Sequence, residues 1–435
     1  MNDEVGSSAL RKVLVRLVPF AMLLFFVQMT DKTNVSFAAL EMNQQLGFTP
    51  EVYGFGAGIF FIGAFFFEIP SNLVLMRVGA RLWLARIMIT WGLIVVGMAW
   101  VRSAHGFYVL RFLLGAAEAG LLPGVLYYLG TWVPERRRGV ASSGLMSVSA
   151  IGAIIAGPLS TGIMELRGVL GVNGWQWIFI LEGVATIVIG FITLRYLPET
   201  PRNARWLNAD EQRWLTDVMS RELAAKQRAG MTSLAAGFLD RRILIGLVIG
   251  FLLVFCNFGT VLWLPQILKG FGGLTNMQVG LLSVLPYACG GVGMMLCGRS
   301  SDRSGDRRWH LVCGACLAAL GYAGAALAPN NTLVFIGLCV AATGMLSTFG
   351  VFWAHASDLL GGAAAAGGLA FINTASQLGG FVGPMAVGYL RQTTQSFSES
   401  LLVLAGGALM TGIVALALKN ETPAGQTPMG SRAAV

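Results

Sequence analysis

Six ionisable side chains fall inside apolar runs long enough to cross a bilayer: Asp31, Lys32, Glu68, Arg111, Glu118 and Glu182, with His355 near the end of another run. A charge at that depth costs several kcal/mol, so each is a functional candidate by default. Arg111 and Glu118 are seven residues apart. Two helical turns put both on one helix face, about 10 Å apart. Asp31 falls at a depth between them on the first run, which places a carboxylate within reach of a guanidinium. That combination is a switch: the cation pairs either with the protein carboxylate or with a dissolved anion, and protonating the carboxylate frees it. Asp31 and Glu118 are therefore the candidates for proton coupling, and Arg111 for anion binding. Lys32 points about 100° away from Asp31 around the helix, and either anchors an anion or pairs with another carboxylate. Glu68 and Glu182 read as gating or packing groups.

The elements that must carry these groups follow from composition. Of 435 residues, 55% are hydrophobic and 12% charged, with a mean hydropathy of +0.69. Soluble domains carry about 25% charged residues, so most of this surface faces lipid. Apolar stretches of spanning length lie at 14–39, 51–76, 82–101, 106–131, 138–164 and 174–197, then at 243–269, 276–298, 309–328, 332–356, 363–390 and 400–418. The first, beginning near Val13, is too long for a signal-peptide core and reads as a span. Of the 30 Lys and Arg, 24 fall on the side that holds both termini; by the positive-inside rule that side is cytoplasmic. The net charge of +9 is accordingly topological information, with no nucleic-acid patch. Cys313 and Cys316 have a CxxC spacing, but no second Cys or His pair accompanies them, and they read as helix packing. No nucleotide loop, metal cluster or nucleophile motif appears, so the expectation is no enzyme, no cofactor and no use of ATP.

Adding 226 to first-half positions finds second-half partners in one register: Gly54 and Gly280, Arg77 and Arg303, Gly79 and Gly305, Arg81 and Arg307, Trp83 and Trp309, Pro158 and Pro384. This predicts an all-α membrane protein of twelve helices in two pseudo-symmetric six-helix bundles, with a cavity at their interface. The divisions are 1–197, a linker at 198–242, 243–419 and a tail at 420–435. In the linker, Asn208 is a plausible N-cap for a short amphipathic helix, with Glu211 three residues on. The repeat maps Asp31, Lys32, Glu68, Arg111 and Glu118 onto Asn257, Phe258, Met294, Gly337 and Gly344. The charged machinery thus belongs to the first half alone. In the second half, Asn373 and Gln377 lie one turn apart, and Tyr287 and Trp353 could wall a cavity; with Asn34 and Asn257 they complete the substrate-contact candidates.

Gly298-Arg-Ser-Ser-Asp302-Arg303-Ser-Gly305-Asp-Arg307-Arg308 resembles the loop motif of the major facilitator superfamily. Asn34-Val-Ser-Phe-Ala-Ala-Leu40, Phe67-Glu68-Ile-Pro70-Ser71-Asn72, Arg111-Phe-Leu-Leu-Gly115-Ala-Ala-Glu118-Ala-Gly120, Gly174-Trp175-Gln176-Trp177 and Gly379-Gly380-Phe381-Val382-Gly383-Pro384 resemble its anion:cation symporter branch. The resemblance covers nearly the whole chain. It implies proton-coupled import of an organic acid such as tartrate or galactonate by a monomer in a bacterial inner membrane. It also implies gating roles for Arg77, Arg81, Asp302, Arg303 and Glu68. Two departures stand out: Lys32 occupies a position usually held by Arg, and Met76 one usually held by Asp. An organic-anion exchanger or uniporter of the same fold, or a non-transporting membrane sensor, are the rival readings.

Overall fold

A bilayer offers no hydrogen-bond partners, so each spanning segment must satisfy its own backbone. The computed structural model describes residues 2–228, 241–359 and 363–418, and these form helices and connecting turns without a strand. In chain order they are α1 Asn2–Leu46, α2 Pro50–Val78, α3 Ala80–Met98, α4 Ala104–Glu118, α5 Leu121–Gly130, α6 Glu135–Met164, α7 Gly174–Tyr196 and α8 Ala209–Arg228. The second half has α9 Arg241–Val261, α10 Leu264–Lys269, α11 Asn276–Leu282, α12 Val284–Ser304, α13 Arg307–Leu327, α14 Asn331–Leu359, α15 Ala363–Thr394 and α16 Ser398–Ala415. Taking α4 with α5, α9 with α10 and α11 with α12, they make twelve consecutive segments around the linker helix α8. Ten are long and apolar enough to cross a membrane among the described residues. Part of the linker and the tail at 420–435 lie outside the described residues.

Three segments expected to be continuous are broken. The break that matters separates α4 from α5, where Ala119 leaves helical geometry and Gly120 takes φ +87°. Only glycine adopts that conformation without strain. The break comes immediately after Glu118, so a carboxylate sits where the backbone ladder is interrupted. Discontinuous helices at mid-membrane are a recurrent way of building solute sites.

The halves meet through glycine. A Cβ on Gly54 would stand 2.6 Å from the Pro384 carbonyl and 3.1 Å from Gly388 Cα, and one on Gly280 would stand 2.8 Å from the Gly157 carbonyl. These α2–α15 and α6–α11 contacts are images of one another under the 226-residue repeat. Such close approach lets backbone dispersion replace the hydrophobic drive that lipid removes. Between the halves, Tyr53 Oη donates to the Leu262 carbonyl at 2.7 Å and Asn276 Nδ2 to Glu41 Oε1 at 2.9 Å, while within the second half Trp263 Nε1 donates to the Pro384 carbonyl at 3.1 Å. All lie at the end of the molecule opposite the termini, which is therefore closed.

Helix α8 is strapped to the first bundle. Asn208 caps it as expected: its Oδ1 accepts from the Glu211 amide at 2.8 Å, and Glu211 Oε2 accepts from the Asn208 amide at 2.9 Å. The Glu211 carboxylate also accepts from Ser8 Oγ at 2.7 Å and Lys12 Nζ at 2.8 Å on α1. Farther along, Glu222 accepts from Arg138 Nη2 at 2.8 Å. Burial pushes the Glu211 carboxyl up, but the bonds from Lys12, Ser8 and Asn208 outweigh it and hold the group below its ordinary range. Its contribution to docking is thus present above the unfolded glutamate value and lost as pH falls through the lowered folded value. Glu211→Gln should weaken α8 docking by about 2 kcal/mol, read as faster hydrogen exchange across 209–228, and acid should loosen the wild type in the same way. Exchange unaffected by both would mean that Trp214, Leu215 and the Glu222–Arg138 pair hold the helix without it.

Candidate functional site

Helix α1 presents Asp31 and Lys32 to different neighbours because successive residues turn by about 100°. Asp31 is buried and points into the first bundle. Its Oδ2 accepts from Trp91 Nε1 of α3 at 2.9 Å, and its Oδ1 from Asn34 Nδ2 at 3.0 Å. The same Asn34 Nδ2 donates to Glu182 Oε2 of α7 at 2.8 Å, and Ser160 Oγ of α6 lies 3.3 Å from Glu182 Oε1. Asn34 therefore bridges two carboxylates.

Lys32 turns the other way. Its Nζ stands 3.5 Å from Glu118 Oε1 on α4, with the Lys32 side chain 19% exposed and Glu118 2% exposed. Neither Glu118 oxygen accepts a hydrogen bond of good geometry among the described residues, so the attraction is almost wholly charge on charge. Of the two readings of Lys32 left open by the sequence, the structure shows the pairing with a carboxylate.

Arg111 is buried at 1% exposure. Sequence spacing put it within reach of Asp31, but its Nη2 donates to the Ala57 carbonyl at 3.2 Å and its Nε to the Gly56 carbonyl at 3.4 Å. The guanidinium carbon lies 4.9 Å from the Phe60 ring centroid. The reason is geometric: the glycine-lined α2–α4 contact brings the carbonyl edge of α2 to the guanidinium before α1 can reach it. Asp31 remains a charged neighbour without a direct bond.

Across the interface, Asn373 Nδ2 of α15 donates to Glu68 Oε1 of α2 at 2.7 Å, and Gln377 faces the same carboxylate. The structure thus joins three of the predicted residues from opposite halves. Asn257 and Tyr287 border a separate cavity of about 30 Å³ in the second bundle, together with Thr260, Pro286 and Tyr322. That is room for about two waters. Trp353 packs against Phe349 and Phe352, and no contact brings it to the charged cluster among the described residues. His355 is buried farther along the same helix.

At the termini side, Arg307 Nη1 donates to Asp302 at 2.6 Å, while Arg77 and Arg303 are exposed. Met76 is 61% exposed and makes no equivalent pair. In the first half an acid from outside the motif stands at the matching arginine. Glu199, just after α7, lies 3.9 Å from Arg81 Nε and accepts from the Arg81 amide at 3.2 Å. Arg81 is the repeat partner of Arg307. Glu199, Trp91 and Ser160 were not among the sequence candidates. The two neutral residues carry no signal in a membrane sequence, and Glu199 sits in a loop where an acid is unremarked.

With this geometry in place, comparison with known proteins gives the family. The Major Facilitator Superfamily pattern matches residues 21–384 and again 273–433. The chain belongs to the Major Facilitator Superfamily and is a membrane transporter of that type. It is 44% identical over 431 residues to a "Putative tartrate transporter" of Agrobacterium vitis, covering 97% of both chains. It is 36% identical over 427 residues to a "Quinolone resistance transporter" of Acinetobacter baumannii, covering 96% of this chain and 97% of that one. An inward open structure of the xylose transporter XylE from E. coli aligns with a TM-score of 0.75 at 16% identity, covering 93% of this chain and 96% of that one. At that identity the likeness speaks for the fold alone.

Proposed function

We propose that the protein imports a small organic carboxylate by proton symport across a bacterial inner membrane, as a monomer with both termini cytoplasmic. The observation that carries this reading is the Lys32–Glu118 pair, 3.5 Å apart beside the broken α4–α5 helix. A proton on Glu118 cancels the attraction and releases Lys32 for a substrate carboxylate. Loss of that proton restores the pair and expels the anion. The carrier then changes state either with both ligands or with neither, which is what coupling requires. Arg111 supplies a second, deeper positive charge, while Asn34, Asn257, Tyr287, Trp353, Asn373 and Gln377 offer polar and aromatic contacts. Glu68, Arg77, Arg81, Asp302 and Arg303 act in gating, and the division at 1–197, 198–242 and 243–419 separates the moving bodies. With the termini cytoplasmic, the closed end faces outside.

The likeness to the tartrate-named relative supports a carboxylate as cargo; the quinolone-resistance relative favours a second reading, export of an organic drug. One assay separates them. Proteoliposomes given an acid exterior should concentrate labelled tartrate by about tenfold per proton for each pH unit, and a protonophore should abolish this. Tartrate counterflow without a response to the gradient would mean exchange. Failure to move tartrate, together with outward movement of a fluoroquinolone, would mean export.

A further inference from the structure

The Asp31–Asn34–Glu182 cluster is not used by the Lys32–Glu118 switch, and it sits on the other side of α1. Two carboxylates from α1 and α7 are held by one amide nitrogen, at 3.0 and 2.8 Å. The charged groups facing Asp31 are the carboxylates of Glu118 and Glu182 and the guanidinium of Arg111. Among the described residues the groups bonded to Glu182 are Asn34 and Ser160, both neutral, and α3 contributes Trp91 to Asp31, also neutral. Two like charges this close, with no cation bonded to either, cannot both persist in a lipid-embedded interior.

The donors decide which carboxylate gives way. Asp31 meets an N–H at each oxygen, from Trp91 and from Asn34. Indole and amide N–H groups donate only, so Asp31 has no acceptor for a proton of its own. Glu182 meets one N–H at Oε2, but its Oε1 faces a serine hydroxyl, which accepts as readily as it donates. We infer that Glu182 is a second proton-binding site, the protonated member of a carboxyl–carboxylate pair in which Asp31 keeps the charge and faces Arg111. The proton comes from water and returns to it, and no other bond changes. With Glu182 neutral, Asp31 offsets Arg111, while Lys32 stands beside Glu118 and also acts on Glu68.

This deepens the symport reading, yet it is measured on the protein without substrate, so the two can fail separately. Infrared spectra of the purified full chain in detergent, compared in H₂O and D₂O from acid to alkaline pH, report protonated carboxyl groups by their isotope shift. The wild type should keep a carboxylic-acid band at neutral pH that Glu182→Gln removes. Asp31→Asn, which takes away the like charge and serves if Glu182→Gln does not fold, should bleach that band at neutral pH. Glu118→Gln should leave it in place. A neutral-pH band that survives Glu182→Gln, or that Asp31→Asn leaves unchanged, overturns the assignment; so does a wild type with no such band.

Discussion

Glu118→Gln should bind tartrate at least as well as the wild type and yet lose all accumulation driven by a pH gradient. The amide has the shape of the protonated acid and no charge, so Lys32 loses the partner that stands 3.5 Å away and is permanently available to an anion. Among the described residues neither Glu118 oxygen accepts a hydrogen bond of good geometry, so the exchange breaks none, and the broken α4–α5 backbone beside it is unaffected. Counterflow, which needs binding and alternation but no proton, should continue. Under a gradient of one pH unit the wild type should concentrate the anion about tenfold per proton, whereas the variant should reach only equal concentrations. A Glu118→Gln protein that still concentrates tartrate would remove this residue from the coupling mechanism.

Gly54→Leu should stop transport for an unrelated reason. The side chain would start 2.6 Å from the Pro384 carbonyl and 3.1 Å from Gly388 Cα. Both obstacles are backbone, so no rotamer change relieves the clash and α2 must separate from α15. The end opposite the termini is then held open, and the Tyr53–Leu262 bond between the halves is lost with it. Uptake should fall to background, while Asn257→Cys in a cysteine-free form should gain reactivity toward a membrane-impermeant maleimide applied from that end. Gly406→Leu is the control, because a Cβ there meets nothing within 4 Å. Wild-type uptake by Gly54→Leu would show that this contact need not form during the cycle.

The spans were legible because lipid imposes one rule along the whole chain, and the charges inside them were legible because they break it. Lys32 and Glu118 come from different spans, so their pairing could not be read from spacing; only the 100° turn between Asp31 and Lys32 pointed to separate partners. Arg111 shows the limit of that method. Its depth relative to Asp31 was a fair inference, but the backbone carbonyls of Gly56 and Ala57 compete for a guanidinium, and a sequence does not display carbonyls. Glu182 is visible as an acid in a span, but Asn34 and Ser160, its neighbours in space, are distant in the chain, so the sequence alone reads it as a gating or packing group. The break at Gly120 was hidden by a glycine-rich composition, in which one left-handed residue looks like every other.

The repeat-related arginines Arg81 and Arg307 find their acids in different places. A tandem duplication copies every internal contact twice, but the segment that stitches the copies together exists once. Asp302 serves Arg307 from within its own repeat, whereas Glu199, from the stitching segment, serves Arg81 and also caps the start of α3. With an acid from the joining segment beside Arg81, position 76 has no charge to supply, and an exposed methionine stands there. The degenerate half of the motif is therefore a relocation of its chemistry rather than a loss.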